Sequence, residues 1–173
     1  MVTIVEKIEG ADLMASAEAR SDAEAGIILR FHDPDNYLVG LYTPSLKAIY
    51  LHDRKNGQWG KPLGKVAVPE VGPRIHLTAA ARGEHAALVL TDGKRTYSTP
   101  VVKVSNTRRG KVGLWLFQIG ERQEYDNFVV SRAKFTPTKA PPRARFVVRP
   151  GQEWAPPLPS PQDWVLVLER VNR

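Results

Sequence analysis

Short segments in which apolar residues alternate or run together recur along most of this chain, each closed by glycine, proline, aspartate or asparagine. "ADLMASAEAR", "GIILRFH", "NYLVGLY", "KAIYLHD", "RIHLTAAAR", "HAALVLTD", "KVGLWLF" and "YDNFVVS" are the clearest, each seven to ten residues long. That spacing suits antiparallel strands joined by tight turns, and helical periodicity hardly appears. The alanine-rich "ADLMASAEARSDAEA" could pass for helix. Leu13, Ala15, Ala17 and Ala19 nevertheless fall at period two among neighbouring strands, so a strand is predicted there too.

Three turns can be typed. "DPDN" (33 to 36) places Pro34, with its fixed φ, at the second position of a type I turn, and "KNG" (55 to 57) and "TDGK" (91 to 94) are hairpin sequences. The predicted fold is all-β, an antiparallel β-sandwich or jelly roll. After Phe135 the chain becomes proline-heavy through "TPTKAPPRARFVVRPGQEWAPPLPSPQ", then returns to a strand pattern in "DWVLVLERV". Residues 1–135 are therefore predicted to form the sandwich. Residues 136–173 are predicted to be an extension whose last strand packs back, because Trp164, Leu166 and Leu168 would otherwise be exposed.

The composition removes several chemistries. With no cysteine there is no disulfide, thiol nucleophile or thiolate metal site. The four histidines lack paired-ligand spacing, and neither a GxSxG elbow nor a Walker loop occurs. No run reaches the roughly 20 apolar residues of a membrane span, and the opening "MVTIVEKIEG" lacks a signal-peptide layout. An extracellular or periplasmic setting, as a processed chain or a module of a longer protein, is the expectation. A formal charge of +7, from 25 basic and 18 acidic residues, suits a polyanion such as an acidic polysaccharide. The local clusters "TRRGK" (107 to 111) and "RARFVVR" (143 to 149) carry no nucleic-acid motif, so no nucleic-acid partner is expected.

In order along residues 11 to 132, "AGIILRFHDPDNYLVGLY", "NGQW", "LTDGK" and "GKVGLWLFQIGERQEYDNFVVSR" resemble the concanavalin A-like lectin/glucanase superfamily. The likeness is greatest to its laminin G-like branch and to the 3-keto-disaccharide hydrolase, family-16-like domains. It implies a concanavalin A-like sandwich with a saccharide site on the concave sheet. Family-16 glucanases carry a Glu-x-Asp-x-Glu run, because a retaining mechanism needs two carboxyl groups roughly 5 to 5.5 Å apart. The nearest approaches here are "EYD" (Glu124, Asp126) and "HDPD" (His32, Asp33, Asp35). An ordinary family-16 hydrolase is therefore not expected. The resemblance also implies a structural calcium ion held by Asp126, in "YDNF", together with backbone carbonyls; a carboxylate that hydrogen-bonds a neighbouring turn is the competing reading.

Strand parity supplies candidate binding residues. With Ile27, Leu29 and Phe31 turned to the core, Ile28, Arg30 and His32 face out; with Tyr37, Val39 and Leu41 inward, Leu38, Gly40 and Tyr42 face out. Likewise Ile49, Leu51, Val112, Leu114 and Leu116 are assigned to the core, and Tyr50, His52, Trp115 and Phe117 to the surface. Aromatic rings stack on the C–H faces of sugars while arginine and histidine bind hydroxyls, so Arg30, His32, Tyr42, Tyr50, His52 and Trp115 are the predicted ligand-binding set. A second core under a loop or the tail is the competing reading. The expected function is a non-catalytic carbohydrate-binding or adhesion module associated with polysaccharide breakdown. The alternatives are a 3-keto-disaccharide-type hydrolase, or a structural domain packed on a catalytic partner.

Overall fold

The structure is a computed structural model that describes residues 2–116 and 123–133, together with the strand at residues 166–167. Side chains of residues 116, 166 and 167 are outside that description, as are Phe117, Trp164, Leu168 and the proline-rich segment. The strands are β1 (Val2–Gly10), β2 (Leu13–Arg20), β3 (Ala25–Asp33), β4 (Asn36–Thr43), β5 (Ala48–Lys55), β6 (Gln58–Trp59), β7 (Leu63–Ala67), β8 (Arg74–Arg82), β9 (His85–Thr91), β10 (Thr96–Ser98), β11 (Val102–Lys103), β12 (Gly110–Leu116), β13 (Tyr125–Arg132) and β14 (Leu166–Val167). They form two seven-stranded antiparallel sheets. In the first the order is β1-β12-β3-β4-β5, with β6 and β7 both on β5. In the second it is β10-β9-β8-β2-β13-β14, with β11 also on β9. The predicted all-β sandwich is the observed fold.

The sheets meet over Ile27, Leu29, Leu38, Ile49 and Leu51 from the first and Ala15, Ala17, Ala19, Ile75, Leu77, Leu88 and Leu90 from the second, all buried. Small alanines on β2 and β8 face larger residues across the gap, which lets the two sheets approach. Period-two burial of Ala15, Ala17 and Ala19 makes β2 a strand despite its composition. A polar tie joins the sheets as well. Tyr125 on β13 donates its hydroxyl to the Trp115 carbonyl at 2.5 Å and accepts the Gly26 N–H at 2.7 Å, entering the β3–β12 ladder from the opposite sheet.

The typed turns fold as hairpins. Asp33 Oδ1 accepts the Asp35 N–H at 2.8 Å and closes the β3–β4 turn. Asn56 and Gly57 both have positive φ, 50° and 76°, as a type I′ turn between β5 and β6 requires.

Two parity assignments are corrected. On β3 a bulge falls at Arg30, where φ is 53°. Ile28 opposes Gly113 and Phe31 opposes Lys111, so β3 advances one residue further than β12. An extra residue flips the faces beyond it. Phe31 therefore lies on the outer face of the first sheet and not in the core. On β4 the order is reversed throughout: Leu38 and Tyr42 join the inter-sheet core, while Tyr37, Val39 and Leu41 face outward. The pairing requires it, because Ile28 opposes Val39 and directly opposed residues share a face.

Candidate functional site

The outer face of the first sheet is apolar and aromatic. Ile28, Tyr37, Val39, Leu41, Ala48 and Tyr50 are buried there, with Phe31, Trp115, Val2 and Ile4 packed against them. Trp59 of β6 stands among their rings. Its centroid is 5.7 Å from Tyr37, 5.2 Å from His52 and 5.7 Å from Trp115, all edge-on. The Arg54 guanidinium carbon lies 4.9 Å from the same ring, within cation–π range. Trp59 remains 43% exposed, so it covers a second apolar layer while offering ring surface to solvent. Trp59 of β6 thus covers part of this face.

At one end of the face a polar chain is built. Trp115 Nε1 donates to Glu24 Oε1 at 2.8 Å, and Thr43 Oγ1 to Glu24 Oε2 at 3.0 Å. The Thr43 and Tyr50 hydroxyls are 2.8 Å apart. Gln123 holds Glu24 in place by donating Nε2 to the carbonyls of Arg20, Ala23 and Glu24. Gly26 is the reason that Trp115 can lie here. A Cβ at Gly26 would come within 2.9 Å of the Trp115 Cβ and 2.6 Å of Leu41 Cδ2.

The predicted binding residues separate into two groups. Tyr50, His52 and Trp115 come together on this face, with Tyr50 bonded to Thr43 and His52 5.2 Å from the Tyr50 ring. His52 is half-buried, with Nδ1 enclosed and unpartnered. Desolvation lowers its pKa, and a hydrogen bond to the Gly60 backbone opposes the shift. The other three lie elsewhere. Arg30 is 1% exposed and donates to the carbonyls of Ala11, Asn106 and Gly83, each at 2.7 Å. Its surroundings also hold Asp12, at 3.8 Å. Desolvation pulls the guanidinium pKa down while Asp12 and Asp53 raise it. Arg30 is a clamp on three loops, because the bulge aims it inward. Tyr42 belongs to the inter-sheet core, and His32 is exposed beside the β3–β4 turn.

Asp126 accepts the Asn127 N–H at 3.0 Å. No group of three or more metal-binding side chains gathers among the described residues.

Sequence parity missed Trp59, Tyr37 and Glu24. Trp59 was legible as a tryptophan directly after a hairpin turn, a position that lets a short edge strand fold a large ring back over the sheet. Tyr37 was placed on the wrong face, and Glu24 carries no local signal.

Beside Trp59 a groove of about 560 Å³ follows the sheet edge, lined by Asp53, Lys55, Gln58, Lys61, Lys103 and Ser105 among others. A second hollow, of about 330 Å³, lies at Glu70–Arg74 and Asp92–Arg95. There Asp92 is already satisfied by the N–H groups of Gly72, Lys94 and Arg95.

No protein-family profile matches the sequence. No curated protein matches it either. Solved structures are similar in fold. A carbohydrate binding module, CBM66 from Bacillus subtilis, superposes with a TM-score of 0.53 and 14% identity, over 72% of this chain and 73% of that one. The GH43 BlXynB protein from Bacillus licheniformis superposes with a TM-score of 0.52 and 17% identity; the match covers 70% of this chain and 27% of that protein. A Congerin II Y16S mutant superposes with a TM-score of 0.50 and 12% identity over 75% of this chain and 99% of its own. At such identities the likeness is one of fold, a β-sandwich. No helix among the described residues is long and apolar enough to cross a membrane.

Proposed function

We propose that the chain is a non-catalytic carbohydrate-binding module whose ligand stacks on Trp59 at the outer face of the first sheet. The observation that carries this reading is the Trp59 ring, half-exposed yet fixed edge-on against Tyr37, His52 and Trp115. A rigid, partly solvated indole suits the apolar face of a sugar ring, and the amides and hydroxyls around it suit hydroxyl groups. Fold likeness to a protein named as a carbohydrate binding module supports the same reading. The match to about a quarter of a GH43 protein supports a role as one part of a larger protein.

The placement of acids favours binding over hydrolysis. Glu24 lies at the start of β3, whereas Asp33 and Asp35 sit at its far turn, nine residues on for the nearer. That separation is roughly 30 Å at about 3.3 Å per residue, far beyond the spacing of either glycosidase mechanism. Asp53 is turned to the N–H groups of Ser105 and Asn106.

The test is a polysaccharide-binding screen, by affinity electrophoresis and glycan array, of the chain and Trp59→Ala. Loss of the stacking surface should weaken binding by about 1 to 3 kcal/mol, roughly five- to 150-fold. Trp59→Phe, which keeps a ring over the apolar layer, should retain part of the affinity. Unchanged binding in Trp59→Ala, or no saccharide bound by the parent chain, overturns the reading.

A further inference from the structure

Positive charge surrounds one side of Trp59, and two of its four cations have no ion-pair partner among the described residues. Lys55 and Lys61 line the groove, both exposed, and neither forms an ion pair among the described residues. Lys103, on the opposite rim, is 3.2 Å from Glu84. Arg54, over the Trp59 ring, is 3.2 Å from the exposed Asp35. The only carboxylate in the lining, Asp53, is committed inward. Its Oδ2 accepts the N–H groups of Ser105 and Asn106, its Oδ1 is enclosed, and it acts electrostatically on buried Arg30. Gln58 adds a neutral amide to the lining. Unpaired ammonium groups thus meet a stacking ring at one groove.

We propose that this groove binds an anionic sugar unit, carboxylated or sulfated, of the same polysaccharide chain that stacks on Trp59. The proposal rests on the saccharide reading of the Trp59 face. It moves acid recognition from Arg30, which is enclosed by backbone carbonyls, to Lys55 and Lys61. Exposed ammonium groups act over a Debye length of about 8 to 10 Å, so their contribution must fall as salt rises. Trp59 supplies a contact that salt leaves in place. Neutral and charged saccharides should therefore share the ring and differ at the lysines.

The experiment uses the full chain and matched polysaccharides that differ in charge: carboxymethyl- against hydroxyethyl-cellulose, polygalacturonate against galactan, and dextran sulfate against dextran. Affinity electrophoresis at low and high salt is run on the parent chain, Lys55→Gln/Lys61→Gln and Trp59→Ala, with melting curves and tryptophan emission as controls of fold. Both lysines are exposed, so the double variant should melt like the parent. At least one charged member should bind more tightly than its neutral partner, a preference lost at high salt. The double variant should reduce that preference about tenfold and leave neutral binding intact. Neutral binding that depends on Trp59, without a charged preference or with one the lysine variant does not change, overturns this inference alone. Failure to bind any polysaccharide overturns it together with the saccharide reading. Lysine-dependent binding of a single-stranded oligonucleotide more tightly than every polysaccharide also overturns it, in favour of a nucleic-acid partner.

Discussion

Arg30 shows how much one residue can change the reading of a face. Its three hydrogen bonds fasten Ala11, Gly83 and Asn106, which lie between strands of both sheets, to the β3 bulge. Replacing it by alanine leaves those carbonyls without their donor and removes the charge opposite Asp12 and Asp53. Arg30→Ala should destabilise the domain by about 3 to 5 kcal/mol, and Arg30→Lys should recover only part, since an ammonium lacks the planar fork. Urea denaturation measures this, and a loss below about 1 kcal/mol would show that the clamp is dispensable. Parity could not find this role, because an arginine with positive φ looks in sequence like any alternating strand residue. Histidines give a second residue-scale expectation. Burial lowers the pKa of His52 and His76 below the ordinary value of 6.5. The unfolded chain then takes up protons first, so stability is level above about pH 6.5 and declines as the pH falls below it. Asp33 and Asp92, held below 3.8 by hydrogen bonds, add their losses only further into acid. The melting temperature should therefore drop between pH 7 and pH 5, and His52→Gln and His76→Gln should each flatten the decline. An unchanged slope in both variants would assign it elsewhere.

At the scale of elements, the strands and typed turns were legible because each depends on local chemistry. Alternation marked β2 and β8, and Asn56-Gly57 marked the β5–β6 hairpin. Facing was less legible. β4 is buried on both sides from Tyr37 onward, so its sequence offers no polar side to fix which residues meet the other sheet. Its partner decides: once Ile28 opposes Val39, the remaining contacts follow. The short strands β6, β7, β10 and β11 carry too few residues to show a period. β6 is nevertheless the element that makes the site, since two residues on the edge of β5 bring Trp59 over Tyr37 and His52. A face that parity alone would expose is thereby half covered, and the remaining exposed ring is the place proposed for a ligand.

For the whole molecule, the proposed site and the last strand fall on different sheets. The proposed site belongs to the outer face of the first sheet and its edge, whereas β14 is added to β13 in the second, with Val129 opposite Val167 and Val130 opposite Leu166. A chain ending at Lys139 lacks those partners. Its β13 would present unpaired N–H and C=O groups along an edge, which invites association with another copy. Losing the strand should lower stability by about 1 to 3 kcal/mol, or the melting temperature by roughly 3 to 10 °C for a domain of this size. Sedimentation should show association that grows with concentration. Polysaccharide retention by the remaining monomer should match that of the parent chain, because Trp59, Lys55 and Lys61 stay in place. Melting and sedimentation indistinguishable from the parent would show that residues 140–173 contribute nothing to the sandwich. Retention lost while melting is preserved would instead place part of the binding surface in the segment removed, and the assignment of the site to the first sheet alone would fail.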